Sequence, residues 1–175
     1  MNEVKAAALV ADLMGMAYGQ AENVLVKLHT EHKSLIPTFL VMSGTKVEIF
    51  ACPWQNDDQK HMAQDLIRAR MKAQKSNAYS FVSEAWMLVV DRDDFEAQRR
   101  SAEGSLQPSK SERRIEVVTV VACAKHDAGM ARDFQLWNII RDATGEITAL
   151  EKHVLPGDGD GPSSVGGEFP TLLDD

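Results

Sequence analysis

The chain has few of the residues that usually announce chemistry. Its 175 residues include two cysteines, five histidines and six prolines, and aromatics make up 6%. Two cysteines without C-x-x-C spacing exclude a disulfide-stapled scaffold and a cysteine-ligated zinc module. The histidines lack an H-E-x-x-H frame, no serine sits in G-x-S-x-G, and no phosphate-cradling glycine loop is present. No apolar run approaches the ~20 residues that a membrane helix needs. The run AAALVA at 6–11 meets Asp12, which ends a signal-peptide reading. The expectations are therefore a cytoplasmic protein with no membrane partner, no cofactor, and Cys52 and Cys123 as free thiols.

What is present is ordinary for a globular domain: 44% apolar and 26% charged residues. One domain with a sizeable core fits this length and two do not. The net charge is −7, but residues 154–175 hold Asp158, Asp160, Glu168, Asp174 and Asp175 and no Lys or Arg, which leaves −2 for the body. A nearly neutral body argues against nucleic acid as a partner. Residues 156–167 read PGDGDGPSSVGG, a linker composition, followed by the short apolar stretch Phe169-Pro170-Thr171-Leu172-Leu173. The expected organisation is one domain over 1–155 and a flexible acidic tail over 156–175, whose removal leaves the melting temperature within a few degrees.

The most informative stretch is 76–94. From Ala78 to Val90 it is almost continuously apolar on both faces of the pleat, with Val82, Trp86, Leu88 and Val90 on one and Phe81, Ala85, Met87 and Val89 on the other. Such a strand is central and covered on both sides, or has one face at an interface. Ser83 and Glu84 interrupt it. A carboxylate in mid-strand costs several kcal/mol unless it is solvated, paired or protonated.

Around this strand, residues 2–33 have helical composition, with Leu9, Leu13, Met16 and Ala17 on one stripe and Gly15 and Gly19 predicting a kink or two consecutive helices. A hairpin follows over 38–51 with its turn at Ser43-Gly44-Thr45. Asn56, Asp57 and Asp58 supply N-cap candidates for a helix to about Lys75. Its inner stripe is read as Met62, Leu66, Ala69 and Ala73, widened by Ala63 and Ile67, and its basic outer stripe as Arg68, Lys72 and Lys75. Residues 91–112 are a polar connection. Residues 115–123 form a strand, and 134–141 another, turning at Ala143-Thr144-Gly145 into 147–154. The fold class is α+β: a five-stranded, mostly antiparallel sheet flanked by two or three helices in the order α-β-β-α-β-β-β. This order resembles the profilin-like and roadblock architectures in topology. The sequences AYSFVSEAWM at 78–87 and RRIEVVTVVA at 113–122 resemble a group of uncharacterised bacterial and bacteriophage-encoded proteins, a likeness that covers the middle of the chain and carries no established activity over.

Three constellations are candidates for chemistry. His29 and His32, at i and i+3, have the spacing to share a metal, but zinc needs three or four ligands, and two solvated histidines are the favoured reading. Asp91, Asp93 and Asp94 at the end of the long strand have the chemistry to bind Mg²⁺, although a strand leaving the core into water needs the same residues. Glu84, with Ser83 and His61, is the catalytic candidate, since a desolvated carboxylate has a raised pKa and can serve as acid or base. The alternative is structural: Glu84 paired with His61, Arg68, Arg99, Arg113 or Arg114, or facing a partner chain. That reading is favoured, and it predicts that Glu84→Gln costs more than ~1.5 kcal/mol, because the partner charge stays buried.

The functional expectation is a non-enzymatic protein-interaction module, a homodimer that also binds another protein. A phage or mobile-element protein that binds a host component is one form of this role. Its interaction residues are expected to be Trp86, Phe81 and Met87, with Arg68, Lys72 and Lys75. The competing reading is a small metal-dependent hydrolase that uses Glu84 and the Asp91, Asp93 and Asp94 cluster.

Overall fold

The computed structural model describes residues 1–28, 34–88, 114–154 and 172–173. Asn2 starts helix α1 (Glu3–Glu22) by accepting the Lys5 amide at 2.9 Å, which satisfies one of the donors a helix start leaves orphaned. Ala6, Val10, Leu13, Met14, Ala17 and Ala21 follow at helical spacing and are all buried. The expected stripe holds at Leu13 and Ala17, whereas Met16 is exposed. Gly15 and Gly19 do not break the helix: both look into open space on its outer side, and the chain stays helical to Glu22 before a π-helical turn at Asn23–Lys27.

Among the described residues six strands form one antiparallel sheet, one more than the sequence predicts. They are β1 (Thr38–Ser43), β2 (Lys46–Ala51), β3 (Ala78–Leu88), β4 (Arg114–His126), β5 (Gly129–Arg141) and β6 (Ile147–Lys152), lying in the order β2-β1-β3-β4-β5-β6. The segments 134–141 and 147–154 read from the sequence are both in the sheet, paired across the Asp142–Gly145 turn with Ile139 opposite Leu150 and Trp137 opposite Lys152, and the total of five falls one short of them. Asp142 fastens this turn by accepting the Thr144 and Glu146 amides at 2.8 and 3.0 Å, and Gly145 takes the positive φ of 87° it requires.

Helix α2 (Asp57–Gln74) links β2 to β3. Both strands are antiparallel to β1 and so run in the same direction, which forces a crossover rather than a hairpin. Asn56 caps it by accepting the Gln59 amide at 2.9 Å, and Lys75 ends it in the left-handed region at φ 54°.

The two helices lie on opposite faces of the sheet. On the first face α1 packs on Leu40, Val82, Val118, Val120 and Ile139, with the Tyr18 ring against Trp137 at 4.1 Å between centroids. On the second face Ile67 and Met71 of α2 meet Phe39, Val41, Tyr79, Phe81 and Cys123. The expected two-faced strand is therefore covered on both sides over 78–83 by its own chain, and β4 is buried continuously from Val117 to Ala124.

The second core has another contributor. Leu172 and Leu173 are 3% and 9% exposed and belong to the cluster of Phe39, Tyr79 and Cys123. At these two residues the expected free tail is anchored; residues 155–171 lie outside the described set. Leu172→Ala should cost about 2 kcal/mol or more, the usual range for emptying a buried leucine site. A chain ended at Leu155 should melt well below the full one. Denaturant and thermal melts check both, and unchanged midpoints would mean that the tail is dispensable.

Candidate functional site

The pleat of β3 decides where the candidate residues go, since successive side chains point to opposite faces. Glu84 shares the α1 face with Val82 and Trp86, whereas Ser83 shares the α2 face with Phe81. Register sets Glu84 opposite Val118 and Ser83 opposite Thr119. Ser83 is buried, with its hydroxyl 3.1 Å from that of Thr119. His61 is exposed on α2, across the sheet from Glu84. The three catalytic candidates therefore do not converge.

Glu84 is half-buried near the open end of the α1 face. Its Oε1 accepts the backbone amide of Leu35, in the segment leading to β1. Glu116 and Arg141 stand nearby, but the guanidinium of Arg141 is committed: Nε and Nη2 grip the two Glu116 oxygens at 2.9 and 2.8 Å, and Nη1 donates to the Gly145 carbonyl at 2.9 Å. Burial raises the Glu84 pKa, the Leu35 amide pulls it back, Glu116 pushes it up and Arg141 lowers it, for a net rise. Among the described residues its partner is thus a backbone amide and not the expected cation. Of the expected partners, Arg68 pairs with Asp65, and Arg114 lies over the Trp86 ring at 4.3 Å. Arg99 and Arg113 lie outside the described residues, as do His29, His32, Asp91, Asp93 and Asp94. Among the described residues no group of three or more His, Cys, Asp or Glu is set to hold a metal ion. No described helix is long and apolar enough to cross a membrane.

The expected interaction residues divide. Phe81 is a core residue, 6% exposed and packed against Phe39 and Trp54. Trp86 is 42% exposed under Arg114, and Met87 is half-buried on the opposite face. Lys72 and Lys75 are exposed and Arg68 is half-buried.

The apolar surface that sequence reasoning misassigned is on α2. Met62 and Leu66, read as its inner stripe, are 71% and 70% exposed, and Ala69 and Ala73 are exposed with them. The inward residues are Ile67 and Met71. The helix is held in this rotation from its flank, where Gln74 and Arg70 donate to Glu48 of β2 at 2.7 and 3.2 Å. The four outward residues fall at i, i+4, i+7 and i+11, a second apolar stripe on the solvent side. The sequence signal was the width of the apolar set, which is too large for one buried face.

Comparison of the chain with protein-family models, with curated proteins and with solved structures finds no match.

The Glu84 geometry sets a two-variant test. Gln keeps an oxygen for the Leu35 amide and should hold stability within ~1 kcal/mol; Ala removes the acceptor and should cost about 1–3 kcal/mol. A raised folded pKa means that the folded state binds the proton more tightly, so the contribution of Glu84 is fully present below about pH 4.5 and is lost as pH rises through the raised value. Melts of wild type and Glu84→Gln should therefore diverge in favour of Gln from about pH 4.5 upward. A Gln variant as damaged as Ala, or a gap that closes with rising pH, would mean that a buried cation pairs with Glu84.

Proposed function

We propose that this chain is a non-enzymatic protein-interaction module that pairs with itself and with a second protein. The observation that carries this reading is the outward stripe of α2. A helix that buries only Ile67 and Met71 while presenting Met62 and Leu66 to water has more apolar surface than its own domain uses. Methionine suits such a surface, because its unbranched chain adapts to the partner it meets. Trp86 under Arg114 supplies a second exposed apolar point, built from two residue types enriched at interface centres. A host component as the second partner, with the chain belonging to a phage or mobile element, is one form of this role.

The test is site-specific photo-crosslinking in bacterial cells that express the full chain. A photoreactive residue at Leu66 should give discrete adducts of higher mass, and the same residue at exposed Asp12 of α1 should not. No discrete adduct at position 66 above that at position 12 would overturn the reading.

A further inference from the structure

We infer that the outward stripe of α2 is the seat of a second copy of the same helix, packed antiparallel about a twofold axis. The inference rests on the interaction reading above and names the partner of that surface.

Size complementarity is the first argument. The stripe carries its large residues, Met62 and Leu66, toward the helix start and its small ones, Ala69 and Ala73, toward the end; all four are exposed. A twofold axis crossing the helix between Ile67 and Arg68 sets Met62 over the partner's Ala73 and Leu66 over the partner's Ala69. Large side chains then fill the space that small ones leave, on both halves at once, as close packing demands. A parallel pair would oppose methionine to methionine and leave the alanines facing a gap.

Charge gives the same answer independently. Asp65 and Lys72 flank the stripe on one side, and a twofold axis of this kind keeps that flank on the same side in both copies. The antiparallel register brings Asp65, which Arg68 of its own helix already contacts, to within about 3 Å along the helix axis of the partner's Lys72, so that Lys72 joins an existing pair, twice over. The acidic first turn, with Asp57 and Asp58, meets the partner's basic last turn. A parallel pair would put Asp65 and the partner's Lys72 on opposite flanks and set the two acidic first turns side by side. The contact is self-complementary and closed, the property that a twofold interface requires.

One helix per subunit buries less than the ~1,600 Å² of a standard interface, so the dimer should be reversible, with dissociation in the micromolar range. The experiment is sedimentation velocity on the full chain from about 1 to 100 µM, a span that brackets such an affinity. The expected result is a monomer that passes to a dimer across this range. Leu66→Glu should raise the dissociation constant about tenfold or more, as a central contact does. Asp65→Lys and Lys72→Glu should each weaken the dimer several-fold, and the two together should restore it, since the swap rebuilds both pairs. All these residues are exposed or flank the stripe, so thermal melts of the variants should match wild type, which separates lost pairing from lost folding. A monomer at 100 µM, or a double variant no tighter than the single ones, would overturn the inference. If the chain is monomeric but position 66 still crosslinks to a different protein, the self-pairing fails and the interaction reading stands; if position 66 gives no adduct at all, both fail.

Discussion

The constraint on which the rest of this structure depends is that β3 and β4 are apolar on both faces and must be dry on both. From Val117 to Ala124 every residue of β4 is buried. A sheet with such strands at its centre needs a layer on each side, and each apolar residue left uncovered costs on the order of 1.5–3 kcal/mol. α1 supplies most of one layer, with six buried residues along its length, and Leu25 and Leu35 join it on the same core. α2 supplies only part of the other, through Ile67 and Met71, and Leu172 and Leu173 join it on the same core. The C-terminal leucines are in this sense part of the sheet's second cover.

The same constraint explains the placement of the polar residues within the apolar strands. Ser83 and Thr119 face one another across β3 and β4 and satisfy each other's hydroxyls at 3.1 Å, which lets two polar side chains lie buried at little cost. Glu84 points to the other face, where the packing of α1 gives way to charged groups, and it holds the segment before β1 by the Leu35 amide. Glu116 and Arg141 form a closed pair beside it, so Glu84 keeps a raised pKa that Arg141 does not cancel. Its role in this arrangement is to fasten a chain segment.

Much of the fold was legible in the sequence, and the failures have physical causes. The two helices, the 38–51 hairpin and the long central strand follow from periodicity and turn residues, which act locally. The segments 134–141 and 147–154 and the turn between them are legible in the sequence; the strand total of five falls one short because pairing of the last segment onto the sheet edge is a tertiary contact. The rotation of α2 was misread because the helix has two apolar stripes, and the one that faces inward is the one whose Ile67 and Met71 meet Phe39 and Tyr79, with Gln74 and Arg70 reaching Glu48 at its flank, contacts 26 and 22 residues apart in the chain. The anchoring of Leu172 and Leu173 was equally non-local: no periodicity links them to Phe39 or Tyr79. At the candidate site, sequence identified Glu84 as the anomalous residue but supplied a cation for it. A backbone amide carries no side-chain signature, so the Leu35 partner could be found only in the folded chain.

The central claim is that α2 is held inward by two residues and offers its other apolar stripe to a partner. Hydrogen–deuterium exchange read at low and high protein concentration tests this most directly, because it reports on α2 and α1 in the same sample. The account predicts that α2 amides over Asp57–Gln74 become slower to exchange as concentration rises, while those of α1 over Glu3–Glu22 do not change. Exchange in α2 that is independent of concentration up to ~100 µM, where an interface of this size should be populated, would contradict it.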